Sequence, residues 1–144
     1  MIPKKYLPNS LTKKDKKEQY KELLKSRRLY LKGKYFTRKH LNSYKHKTSK
    51  HILNAFKLYD IKDMNINKNL SSKTGCSIKA LKAIVNKGMG AYYSSGSRPN
   101  QTAESWGKAR LASAITGGKA SKIDFHIIKK GCKHNMKAYK MALK

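Results

Sequence analysis

Only 7 aspartates and glutamates accompany 35 lysines and arginines in this 144-residue chain, leaving a formal charge of +28. So few carboxylates cannot pair with the cations one by one. Any fold must spread the lysines over its surface and meet a polyanionic or acidic partner to relieve their repulsion. The same shortage removes the parts for paired-carboxylate glycosidases, carboxylate-bridged metal centres and acidic calcium loops. Thirty of the basic residues are lysines and five are arginines. Lysine is a hydrated point charge, suited to diffuse contact with phosphates or acidic surfaces rather than to base reading. Because Asn, Ile and Tyr are plentiful too, an AT-rich genome accounts for part of the bias. Half of the net charge, +14, lies in residues 1–50.

A folded chain of this length can bury a real core as one ordinary domain, or as a smaller domain carrying an arm. No apolar run approaches the ~18–20 residues that a spanning helix needs. The Lys-rich N-terminus has no apolar segment behind it, so no signal peptide is expected. Cys76 and Cys132 fit free thiols in a reducing compartment. One disulfide is possible but nothing in the sequence supports it. The chain is expected to be soluble and intracellular, or inside a particle.

Thr12 and Asp15 form a capping-box pattern ahead of a narrow apolar stripe, Tyr20, Leu23, Leu24, Tyr30 and Leu31, that ends near Gly33. Residues 34–47 interleave Tyr35, Phe36, Leu41 and Tyr44 with cations and read as irregular or extended. Thr48 or Ser49 caps a helix with Ile52, Ala55, Phe56 and Tyr59 at helical spacing. Residues 60–70 fit a loop or a short helix. Ser77 caps a third helix carrying Ile78, Leu81, Ile84 and Val85, with Gly88 placed to stop it. Residues 88–101 are Gly-rich, with room for a short strand at 91–94. Thr102 opens a helix that Gly117 and Gly118 close, and Ser121 with Asp124 predicts another box before a helix ending at Gly131. A terminal helix covers 134–143. The expected fold is mostly α: a basic, extended N-terminal arm with one helix over 1–47, and a compact helical domain over 48–144.

The run around Gly75 and Ser77 has helix-turn-helix spacing and would offer Lys79, Lys82 and Asn86 to a groove. A plain helical hairpin needs the same residues and is the commoner explanation. Gly88 and Gly90 lack the third glycine of a dinucleotide fingerprint. The TGGKAS run at 116–121 has Ser113 and Ala120 where a P-loop needs Gly and Ser or Thr, so nucleotide hydrolysis is rejected. Tyr92, Tyr93, Ser94, Ser95, Ser97 and Arg98 lead into the helix start at Thr102, which makes the loop either an anion cradle or a solvated surface turn. Cys132, His134, His126 and Cys76 lack metal-ligand spacing, and no positioned third group accompanies a Cys–His pair. No metal, cofactor or enzymatic activity is expected. In the arm, Tyr20, Tyr30, Tyr35, Phe36 and Tyr44 sit among lysines. They can stack on a nucleic acid or anchor between protein subunits, and a bare solvated tail is the third option.

The run GAYYSSGSRPNQT…SWGKARLAS…TGGKAS, residues 90–121, and the upstream SRRLYLKGKYFTRKHLNSYKHKTSKH resemble an uncharacterised family of basic proteins of large double-stranded DNA viruses of algae and amoebae. Looser relatives occur in tailed phages. The resemblance implies a viral protein, carries no assigned activity, and directs attention to Arg98, Trp106 and Arg110 (Trp106 reads as core from the residues alone).

Two functional readings follow. In the first, narrowly favoured, the chain is a non-enzymatic virion protein, a minor capsid or inner-shell component. It cements major and minor capsid proteins through Tyr30, Tyr35, Phe36 and Tyr44. In the second it condenses or packages viral DNA through Arg98, Arg110, Lys108, Lys119, Lys79 and Lys82. Either places it in the virion, and in the host cell interior during assembly. A ribosome-associated role is a distant third.

Overall fold

A computed structural model describes residues 2–144. Among them are one 3-10 turn, Lys4–Tyr6, and eight α-helices: α1 Lys13–Leu31, α2 Lys50–Tyr59, α3 Lys68–Thr74, α4 Ile78–Ser94, α5 Ala103–Ile115, α6 Lys119–Ile123, α7 Phe125–Gly131 and α8 Lys137–Leu143. The mostly α fold is as the sequence predicts. The chain forms two compact units. One runs up to Lys47 and takes in Met89–Trp106; the other comprises Thr48–Gly88 and Gly107–Lys144. One boundary therefore falls at 47/48, and two fall inside α4 and α5.

In the first unit, α1 starts where Thr12 accepts the amide of Asp15. The box is only half formed, because the Asp15 carboxylate accepts from the backbone and hydroxyl of Ser43 instead. Those bonds hold the Asp15 pKa below its ordinary value. The buried stripe of α1 is Gln19, Leu23 and Ser26, whereas Tyr20, Leu24 and Leu31 of the expected stripe are exposed. Two polar residues occupy core positions because each has a carbonyl to bond. Gln19 donates to the carbonyls of Tyr6 and Ser97, and Ser26 to that of Tyr93. Residues 34–47 are irregular, as expected, yet they bury Arg38 and Leu41 beside Tyr6, Leu11, Leu23 and Tyr92 in the core of this unit.

In the second unit Ser49 caps α2, and Asn67 caps α3. α3 ends in a left-handed turn at Gly75 (φ 82°), where a Cβ would lie 2.8 Å from Met136. Ser77 then accepts the amide of Ala80 at the start of α4, so the helix–turn–helix order is real. Its core is Leu81, Ile84, Leu111, Ala112, Ala114, Ile115 and Ile128, all inaccessible to solvent.

Four local expectations are corrected. Gly88 does not stop its helix, and 91–94 is not a strand but the last turn of α4. Gly88 is needed for close packing: a Cβ there would lie 2.6 Å from the Cα of Gly107. That approach offsets the cost of about 1 kcal/mol for a glycine within a helix. Ser121 does not cap. It lies inside α6 and donates to the Gly118 carbonyl, while the Asp124 side chain makes no cap bond. Finally, Cys76 and Cys132 are not free thiols but a disulfide. The bond joins two short antiparallel stretches in which Ser77 donates to the Gly131 carbonyl and Lys133 to that of Gly75.

The bridge closes a sequence separation of 56 residues. On chain-entropy grounds, losing such a loop costs roughly 4 kcal/mol. Paired serines at Cys76 and Cys132 are expected to lower the urea midpoint accordingly, and dithiothreitol to move the native chain to the same midpoint. Coincident curves for native chain and variant would contradict the bridge's role.

Candidate nucleic-acid interface

Arg38 stands in the lysine-rich segment 34–47 and yet is only 8% exposed. An unpaired buried charge is costly, and the bonds given to this guanidinium all end on neutral oxygens. It donates to the Ser26 hydroxyl (3.0 Å), the Tyr92 carbonyl (2.9 Å) and the Ser97 hydroxyl (2.7 Å). Its plane also lies 3.8 Å from the centre of the Tyr92 ring, a cation–π contact worth about 2 kcal/mol when desolvated. The Arg38 amide donates to the Tyr92 hydroxyl. Burial pulls the Arg38 pKa below its ordinary value, with Tyr92 and Glu22 opposing.

The same unit fixes the segment 95–101, which the sequence left open as an anion cradle. The Arg27 fork closes on the Ser95 carbonyl. Gly96 (φ 117°) brings its backbone against Leu23, 2.7 Å from where a Cβ would stand. Asn100, itself left-handed at φ 62°, accepts the Leu41 amide and donates to the carbonyls of Leu41 and Tyr44. Thr102 and Ser105 cap α5 reciprocally. Arg98 is exposed, whereas Trp106 is half-buried, edge-on to Tyr6 at 5.9 Å.

Beyond the buried Tyr92 the rings continue to the surface. Tyr93 meets Tyr92 edge-on at 5.1 Å, lies parallel to Tyr30 at 6.2 Å, and contacts Tyr35 at 5.0 Å. Tyr35 is 74% exposed. Of the other arm aromatics, Phe36 is covered by Lys25 at 4.6 Å, and Tyr44 is half-buried. Tyr20 and Leu24 form an apolar groove of about 600 Å3 with Leu7, bordered by Lys13, Lys16, Lys17 and Lys21.

In the second unit Lys79, Lys82 and Asn86 share one exposed face of α4, as the helix-turn-helix reading requires. Arg110 is engaged otherwise. Its fork closes on the fully buried Asp124 at 2.7 and 2.8 Å, and those bonds raise its pKa. Lys87 lies 3.9 Å from the same carboxylate. Lys108 donates to the Asn65 side chain, and Lys119 is exposed at the start of α6. The candidate cations thus divide: Arg98 lies in the first unit, the other five in the second. Among the described residues no His, Cys, Asp and Glu cluster is arranged to hold a metal, and no helix is long and apolar enough to cross a membrane.

Sequence reasoning missed Arg38 and Arg27, and set Tyr93 in a candidate anion loop rather than beside Tyr30 and Tyr35. One signal was present: arginine is rare here, and three of the five arginines form forked bonds that lysine cannot reproduce. Arg38→Lys is expected to destabilise the chain by roughly 2–4 kcal/mol, through lost charge-assisted bonds and stranded hydroxyls. Arg98→Lys, at an exposed position, should stay within about 0.5 kcal/mol. Equal urea midpoints for the two variants would contradict this assignment.

No curated protein and no solved structure matches the chain. Residues 3–134 match the model of a family whose description is "Family of unknown function (DUF5824)". With nearly all of its length inside that match, the chain belongs to DUF5824, a family of unknown function.

Proposed function

We propose that the protein is a non-enzymatic nucleic-acid-binding protein that condenses or packages the genome of a large double-stranded DNA virus. The observation that carries this reading is a charge of +28 on a chain whose forked arginines serve its own packing while its lysines face solvent. Lysines at the surface neutralise phosphates without reading bases. The exposed face of α4 bearing Lys79, Lys82 and Asn86 adds a helix of the right kind for a groove.

The order of residues 34–47 does not call for contacts with capsid subunits. Bonds from Arg38 and Asn100 within the chain suffice to hold that segment. A virion structural role keeps one supporting observation, the lysine-bordered groove of Leu7, Tyr20 and Leu24, which suits an acidic, partly apolar protein surface.

Binding to duplex DNA is expected to weaken steeply with salt, log K falling by about 0.9 per phosphate neutralised against log salt. Replacing Lys79 and Lys82 together by alanine should lower that slope by about 2 and weaken binding evenly across sequences. A salt-independent affinity, or none, would overturn the reading.

A further inference from the structure

We infer that three tyrosines of the first unit, the exposed Tyr35 with the half-buried Tyr93 and Tyr30 behind it, form a stacking platform for the unpaired bases of a single-stranded nucleic acid. This deepens the nucleic-acid reading and rests on it. Tyr35 lies against Tyr93 at 5.0 Å, and Tyr93 runs parallel to Tyr30, 11° between their planes. Tyr35 also lies 6.2 Å from Tyr30, tilted by 45°, and at 74% exposed it leaves ring surface for a further flat group. Three aromatic rings gathered at a surface, two half-buried and one open, present a flat apolar edge. They do fit a base, because every base offers a π-face.

The mounting of the platform is rigid. Tyr93 meets Tyr92 edge-on. Tyr92 in turn is fully buried, stacked under the Arg38 guanidinium and hydrogen-bonded through its hydroxyl to the Arg38 amide. With the inner rings held in this way, Tyr35 is the ring with freedom left to lose when a base stacks, and less ordering cost leaves more affinity.

The electrostatics select among ligands that stack on tyrosine. No carboxylate occurs between Glu22 and Asp60, while nine lysines and arginines lie between Leu23 and Lys47. Glu22 already accepts the Lys39 amide. Lys32 and Lys34, both exposed, precede Tyr35 in the chain. A sugar site would want carboxylates and amides for the hydroxyls, and a methylated-ammonium cage would want negative charge. An aromatic surface set among lysines suits bases linked by phosphates.

The test compares three ligands on the full chain: oligo-dT, an abasic strand of the same length, and a duplex of the same length. The native chain should prefer oligo-dT to the abasic strand. Tyr35→Leu should weaken oligo-dT by about tenfold while leaving the abasic strand and the duplex unchanged, and Tyr35→Trp should restore it. Tyr35 is exposed, so these variants leave the core alone; Tyr93→Leu, at a half-buried position, is the second variant and should act in the same direction. Equal affinity for oligo-dT and abasic strand, or an equal loss for all three ligands, overturns the platform and leaves the electrostatic reading standing. Binding to none of the three overturns both. Displacement of oligo-dT by polyglutamate as effectively as by an equal charge of DNA would make the surface a site for acidic protein, which also overturns it.

Discussion

A buried guanidinium without a carboxylate is expensive, and much of the first unit is arranged around the one at Arg38. Its charge is met by two serine hydroxyls, one carbonyl and the face of a tyrosine. Those groups come from three stretches of chain: Ser26 from α1, the carbonyl and ring of Tyr92 from α4, and Ser97 from the segment after it. The interaction therefore ties the irregular segment 34–47 to three other stretches of the chain. It also explains why α1 buries Ser26 where leucine would be expected, because a leucine there would leave the cation one acceptor short.

The second unit solves the same difficulty, few apolar residues and too many cations, with a carboxylate and a covalent bond. Arg110 and the buried Asp124 pair through two parallel bonds, and the cystine pins the turn before α4 to the end of α7. Across both units arginine and lysine divide the labour. Arginine holds structure where a planar fork is required; lysine supplies surface charge. A chain built this way folds in spite of its charge and presents that charge outward. This property makes a phosphate-bearing partner the simplest reading.

Helix starts were legible because N-cap chemistry is local. Thr12, Ser49, Ser77 and Thr102 each accept an amide within the following three residues. The left-handed turn at Gly75 was legible for the same reason. What escaped depends on partners far along the chain. The buried face of α1 is set by bonds spanning 67 and 78 residues. Gly88 looks like a stop signal until Gly107 is placed against it, and Asp124 looks like part of a capping box until Arg110 claims it. The two unit boundaries inside α4 and α5 leave no mark, since helical spacing continues through them. In the candidate site, Tyr30 and Tyr35 stood out among cations, but Tyr93 belonged to a stretch read as irregular. Arg38 was hidden among its basic neighbours.

The most direct measurement is photo-crosslinking of the full chain to an iodouracil-substituted single strand, followed by peptide mapping at low and high salt. The account predicts adducts on the peptides containing Tyr35 and Tyr93. These adducts should persist, relative to lysine adducts, as salt releases the phosphate contacts. Adducts confined to other parts of the chain, or none at any salt, would contradict it.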